Sequence, residues 1–194
     1  MARPQAADYE ERKQVIVDKA AELFAAQSFL GTSINDIAKA CNFSKSLLYH
    51  YYISKEELLS AVMASHIDRL EEIVEGGLQL RGSTDAKLHN LLRMFMAEYA
   101  KAAAKQKVLV NELANLPEAD RRTIVAKQRR IIDSFQSLIV DVHPELFGNE
   151  PKARATTMLL FGMINWTSNW YNPKGPIKPN EIADMAASLI LNEG

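Results

Sequence analysis

The stretch Ile34–Leu59, INDIAKACNFSKSLLYHYYISKEELL, decides how the rest of the chain is read. Ile34, Ile37 and Ala38 recur at the spacing of a helix with one buried face. Ser33 precedes them and Asp36 follows three residues later, a capping box with the shorter acid, so a helix starts near Ile34. It ends by Asn42, because a tight inter-helix turn needs positive φ and asparagine is the best non-glycine choice. Ser44 caps the next helix, Lys45 to about Tyr52, and Ser54 caps the one after, with Glu56 and Glu57 in its first turn where the helix dipole favours acids. Tyr49, His50, Tyr51 and Tyr52 must then point around all sides of a helix of about two turns. One of Tyr51 and Tyr52 is expected to plug a small core, and some of the other rings to face outward.

Upstream, Tyr9–Gln27 carries Val15, Ile16, Ala20, Leu23 and Phe24 at helical spacing, and Ser28–Gly31 should stop it, with Gly31 as the left-handed residue. Three helices with the second and third joined by a tight turn read as a helix-turn-helix. Such a unit binds DNA when the start of its recognition helix reaches base edges and hydroxyls and cations beside it hold phosphates. Ser44, Lys45, Ser46 and Leu47 stand at that helix start, and Thr32, Ser33, Tyr49, His50 and Lys55 are the backbone-gripping candidates. Leu47 cannot donate a hydrogen bond but can pack on a thymine methyl.

The 194 residues are 47% hydrophobic and 24% charged, enough for a real core and a soluble surface. A net charge of −1 does not announce a nucleic-acid binder, which leaves the task to a local basic face. The lone Cys41 excludes an internal disulfide and an all-cysteine metal site. Histidines 50, 66, 89 and 143 share no ligand spacing, and neither a nucleophile elbow nor a phosphate-cradling glycine loop is present. The reading is therefore no metal, no cofactor and no enzyme. MARPQAADYEERKQ at the start has no apolar signal core. The run Met158–Ile164 is far below the roughly 20 residues of a membrane helix, so a cytoplasmic protein without a membrane span is expected.

The segments GTSINDIAKA, FSKSLLYHYY and SKEELL resemble the TetR family of bacterial transcriptional repressors over Tyr9–Leu59. The resemblance implies an operator-binding homodimer on double-stranded DNA and a larger C-terminal helical domain whose small-molecule effector releases the DNA. It assigns phosphate contacts to Tyr49, His50, Lys55 and Thr32, and leaves Lys45 and Ser46 to face base edges. Asn42 stands where the family commonly has glycine, and Ser46-Leu47 where Gly-Thr is common. Tyr52 replaces a usual phenylalanine and Ile53 a commonly polar residue, so docking carries over but operator sequence does not.

An all-α chain of about nine helices follows, with residues 1–55 as the helix-turn-helix domain and 56–194 as the C-terminal ligand-binding and dimerisation domain. The fourth helix, about 55–74, connects them, and EGGLQLRGSTD (75–85) is the clearest internal break. The helices near Pro151–Trp170 and Glu181–Asn192 are apolar enough to form a dimer interface through Trp170, Met185, Ala186, Leu189 and Ile190, a plain monomer core being the other reading. A Met-rich apolar effector pocket is expected among Phe95, Tyr99, Phe135, Met158 and Phe161, with Asn165, Trp166 and Asn169 beside them. Asn165, Thr167 and Asn169, if buried, need partners, either across an interface or on a ligand. FGMINWTSNWYNP and LPEADRRTIVAKQRR also resemble the subgroup that senses acyl-CoA thioesters. Arg121, Arg122, Arg129 and Arg130 would then meet the CoA phosphates, or else form an exposed basic face. The alternative effector is another hydrophobic compound, a drug or a free acid.

Overall fold

The computed structural model describes residues 3–147 and 150–191. Every regular element among them is helical. In order these are α1 (Arg3–Gly31), α2 (Ile34–Ala40), α3 (Lys45–Tyr51), α4 (Lys55–Leu78), α5 (Thr84–Lys101), α6 (Ala103–Asn111), a 3-10 turn (Leu113–Asn115), α7 (Glu118–Val142), the short α8 (Pro144–Phe147), α9 (Glu150–Trp170) and α10 (Pro179–Leu191). Packing gathers them into two compact units that alternate along the sequence: Met1–His66 with Ala104–Ile124, and Ile67–Ala103 with Val125–Gly194.

In the first unit, α1 buries Ile16, Ala20 and Phe24, spaced by four, and closes its core against Ile37, Leu48, Leu58 and Leu59. The α1 break is not where glycine suggests. Ser28 carries φ 65° and ψ 166°, while Gly31 keeps an ordinary φ. For a residue with a Cβ that conformation costs on the order of 1–3 kcal/mol and persists only where surrounding bonds hold it. The α2 start matches the expected capping box: Ser33 Oγ accepts from the Asp36 N–H at 3.2 Å and the Asp36 carboxylate accepts from the Ser33 N–H at 3.0 Å. At its end Asn42 takes φ 55°, its N–H reaches Lys39 O at 3.0 Å, and the Phe43 N–H reaches Ala38 O at 2.9 Å. That pair of bonds is a Schellman stop with asparagine in the left-handed position. Ser44 and Ser54 cap α3 and α4 through the N–H groups of Leu47 and Glu57.

In the second unit, α5 turns Leu88, Leu91, Leu92, Phe95, Met96 and Tyr99 inward. α10 lies along α5 with Ile182, Ala183, Ala186 and Ala187, three of them small enough to let the helices close up. The glycine pair within EGGLQLRGSTD does not end α4, which runs on to Leu78. A Cβ on Gly77 would come 2.7 Å from Leu91 Cδ1, so that glycine serves close packing against α5. The chain leaves helical form afterwards, at Gln79–Ser83, with Gly82 at φ 140°.

Candidate functional site

α3 shows two faces. Leu48 is fully buried and Tyr52, just past the helix end, is 3% exposed. Tyr52 is therefore the plug, and burial pushes its phenol up to about 12. Tyr51 instead packs on the Tyr9 ring at 4.8 Å, with His50 edge-on to both. Lys45, Ser46 and Tyr49 are exposed and Leu47 is half-buried. The Lys45 ammonium stands 5.8 Å from the Tyr49 ring centre.

Tyr49 and Lys45 share a shallow concavity of about 560 Å³ with Thr32, Ser33, Ser54 and Lys55. Its rim also holds Leu30 and Ile53, 78% and 81% exposed. Cations, hydroxyls and a tyrosine around one hollow can hold a phosphate backbone while the start of α3 projects past it. His50 stands outside this hollow, with the Tyr9–Tyr51 rings, although it is exposed.

Thr32 departs from the expectation of a phosphate-gripping hydroxyl. It is 2% exposed, and its one hydroxyl proton goes to Ser28 O at 2.8 Å, with Leu23 O at 3.3 Å as the longer alternative. A break in a helix leaves carbonyls without helical partners, and this hydroxyl serves the nearer one. Lys55 is also partly engaged: its ammonium donates to Phe29 O at 2.8 Å and Thr32 O at 2.9 Å, 4.2 Å from the Phe29 ring centre. An ammonium has three donors, so two such bonds leave one for a phosphate. Both acceptors lie just past the break at Ser28, which three-and-four periodicity does not reveal.

Glu112 is a buried acid beside this break that sequence reasoning missed. Buried to 9% exposure, its carboxylate accepts from the Phe29 N–H at 3.2 Å and from Asn115 Nδ2 at 2.7 Å. The signal was an acid in an apolar stripe, between Leu109 and Leu116 in VLVNELANLP. Gln106, three residues before Leu109, is the same kind of signal. It is 2% exposed and bonds His66 Nε2 at 2.8 Å.

The expected effector residues divide. Phe95, Phe135 and Phe161 form an edge-to-face cluster, with ring centres 5.0 Å apart for Phe95–Phe135 and 5.1 Å for Phe135–Phe161. Tyr99 joins it at 5.9 Å from Phe95 and donates its hydroxyl to Asn165 Oδ1 at 3.0 Å. Met158, Trp166 and Asn169 do not face these rings. Met158 and Trp166 are 48% and 65% exposed, and Asn169 is exposed too, because α9 buries the opposite stripe, Ala153, Thr157, Leu160 and Ile164. Thr167, buried, donates within its own helix to Ile164 O at 2.5 Å.

Of the expected interface residues, Trp170, Met185 and Leu189 are exposed and Ile190 is half-exposed. Ala186 is a correction: it is 5% exposed on the α10 face that lies along α5 within this chain. With Met158, Leu159 and Trp166, the exposed residues make α9 and α10 apolar toward solvent. A separate groove of about 540 Å³ is lined by Arg129, Asp133, Gln136, Ser137, Glu150 and Arg154 of α7 and α9. Among the described residues no helix is long and apolar enough to cross a membrane.

Known proteins match this chain over both of its parts. Residues 16–62 match the family described as bacterial regulatory proteins, tetR family, and residues 81–193 match the tetracyclin repressor-like C-terminal domain. A TetR-family transcriptional regulator from Bordetella parapertussis superposes with a TM-score of 0.89 at 36% identity, over 93% of this chain and 94% of that one. AibR, solved in complex with isovaleryl coenzyme A and operator DNA, is 27% identical with a TM-score of 0.79, over 93% and 98% of the two chains. The transcriptional repressor KstR2 of Rhodococcus jostii is 25% identical over 190 residues, 93% of this chain and 90% of its own. None of these is an enzyme. A capped helix pair turning on Asn42, an exposed helix start at Lys45 and matches over both parts of the sequence lead to one assignment: the chain belongs to the TetR family of bacterial transcriptional regulators.

Proposed function

We propose that this protein is a homodimeric repressor that binds a palindromic operator through the start of α3 and leaves it when an acyl-CoA thioester binds the C-terminal part, residues 56–194. The observation that carries the DNA reading is the hollow where Lys45, Tyr49, Ser33 and Lys55 converge beside an exposed recognition-helix start. Lys45 and Ser46 read bases, Leu47 offers an apolar contact to a thymine methyl, and Tyr49 and Lys55 hold the backbone. A two-fold dimer meets a two-fold operator because each copy presents the same helix to one half-site. The apolar face of α9 and α10 supports that dimer, since exposed Leu159, Trp166, Trp170, Met185 and Leu189 gain by leaving water.

Support for the effector class comes from the relative crystallised with isovaleryl coenzyme A. The acyl group suits the ring cluster of Phe95, Phe135 and Phe161, with the Tyr99–Asn165 pair as its polar contact. For CoA phosphates, Arg129 is the candidate of the four arginines that lines the α7–α9 groove, where the neighbouring Arg154 is paired with Asp133 at 2.6 Å. Arg122 and Arg130 are paired with Glu118 and Glu71. An effector releases DNA only by binding the non-DNA-binding state more tightly.

A mobility-shift assay on DNA flanking the gene tests the first claim: a sequence-specific shift at moderate salt is expected, and its absence rejects operator binding. Lys45→Ala should change sequence preference as well as affinity. A calorimetric screen of acyl-CoAs against free acids and drugs tests the second. Binding by a thioester that also dissolves the DNA complex is expected. Silence toward every CoA thioester, with a response to a free acid or drug, replaces the effector class.

A further inference from the structure

We propose that Glu112 is a positioning residue for DNA binding: its carboxylate holds the left-handed break of α1 and, through the Phe29 peptide, places the Lys55 ammonium at the DNA-facing hollow. The inference rests on the reading of that hollow as the backbone-contacting surface.

Ser28 adopts a conformation that favours glycine, so the break must be held by its neighbours. The Phe29 peptide that follows is gripped at both ends. Its N–H donates to Glu112 Oε1 at 3.2 Å, and its carbonyl accepts from Lys55 Nζ at 2.8 Å. Thr32 Oγ1 closes the same break by donating to Ser28 O, and the Thr32 carbonyl gives Lys55 its second acceptor at 2.9 Å. Glu112 lies 83 residues from Phe29 in sequence, beyond the end of α6, and Asn115 Nδ2 orients its other oxygen. A buried carboxylate is a strong acceptor for a backbone N–H, and removing it takes away the side chain that holds that N–H at the break. Lys55 meets the Phe29 ring and both carbonyls only while the break stays open. Glu112 thus acts on DNA affinity without touching DNA.

The test is operator affinity as a function of salt for wild type, Glu112→Ala, Glu112→Gln and Lys55→Ala. Glutamine keeps an amide oxygen for the Phe29 N–H, so E112Q should bind within about twofold of wild type. E112A should weaken binding about tenfold or more and lower the salt slope by about one, as the loss of one phosphate contact does. Combining E112A with K55A should add little to K55A alone, because both act through one cation. Adding Ser28→Gly to E112A should restore most of the affinity, since glycine adopts the break unaided. A role in stability alone would lower the melting temperature and leave the salt slope unchanged. Wild-type affinity and slope in E112A, or losses that multiply with K55A, overturn the proposal. If E112A does not fold, Glu112→Asp, one methylene short of Phe29, replaces it under the same criteria. Wild type failing to bind any operator would reject the DNA reading instead. In that case amide exchange at Phe29 tests the hold itself: faster exchange in E112A than in E112Q is expected, and equal rates overturn it.

Discussion

Asp36 shows how much chemistry one side chain at a helix start can carry. Its carboxyl lies below the ordinary carboxylate range, chiefly because the Ser33 hydroxyl donates to it, with the Ser33 N–H as the next cause. A carboxyl whose pKa is depressed on folding stabilises the fold above its unfolded value, about 4, and loses that contribution as the pH falls through that value and below. Denaturation midpoints followed from neutral pH to about pH 3 should therefore fall further for wild type than for Asp36→Asn; parallel curves would refute the assignment. Ser33, Asp36, Asn42, Ser44 and Ser54 were legible in the sequence because caps and turns are local: side chain and backbone partner lie within three or four residues. Thr32 and the Tyr51–Tyr52 choice were not. Thr32 turns on the break at Ser28, beside which Lys55 and Glu112 bind from far along the chain, and Tyr51 turns on the ring of Tyr9, in another helix.

Helices reveal themselves by period, and the periodic stripes of α1 and α2 were readable as such. Composition misleads where glycine serves packing. Gly76 and Gly77 looked like a stop, yet α4 passes through both. The two should respond differently to alanine. At Gly76 nothing lies within 4 Å of an added Cβ, so Gly76→Ala should stabilise by about 0.5–1 kcal/mol through lost unfolded-state entropy. At Gly77 the Leu91 side chain must move, and overpacking costs about 1–3 kcal/mol, so Gly77→Ala should fall below its neighbour. Thermal melts of the two variants decide, and equal shifts would refute close packing of Gly77 on Leu91. The α9 and α10 faces carry the same lesson. Both sequences are apolar nearly all round, so period alone could not tell which stripe lies on α5 and which meets water. Ala186 went inward and Met158 and Trp166 outward for that reason.

At the scale of the molecule, the apolar face on α9 and α10 predicts a concentration-dependent partner. Leu189 is 71% exposed on it, and Leu189→Glu would place a carboxylate on the proposed dimer face. Light scattering should find a dimer for wild type and a monomer for the variant, with operator affinity falling alongside; a variant that stays dimeric would move the interface elsewhere. Trp166 and Trp170 are the only two tryptophans in the chain, and both lie on this face, 65% and 54% exposed in the single copy. The indole emission of the whole protein is thus a gauge of assembly. It should shift to the blue as copies close over the rings and back to the red on dilution, so dimerisation can be followed at low concentration without any label.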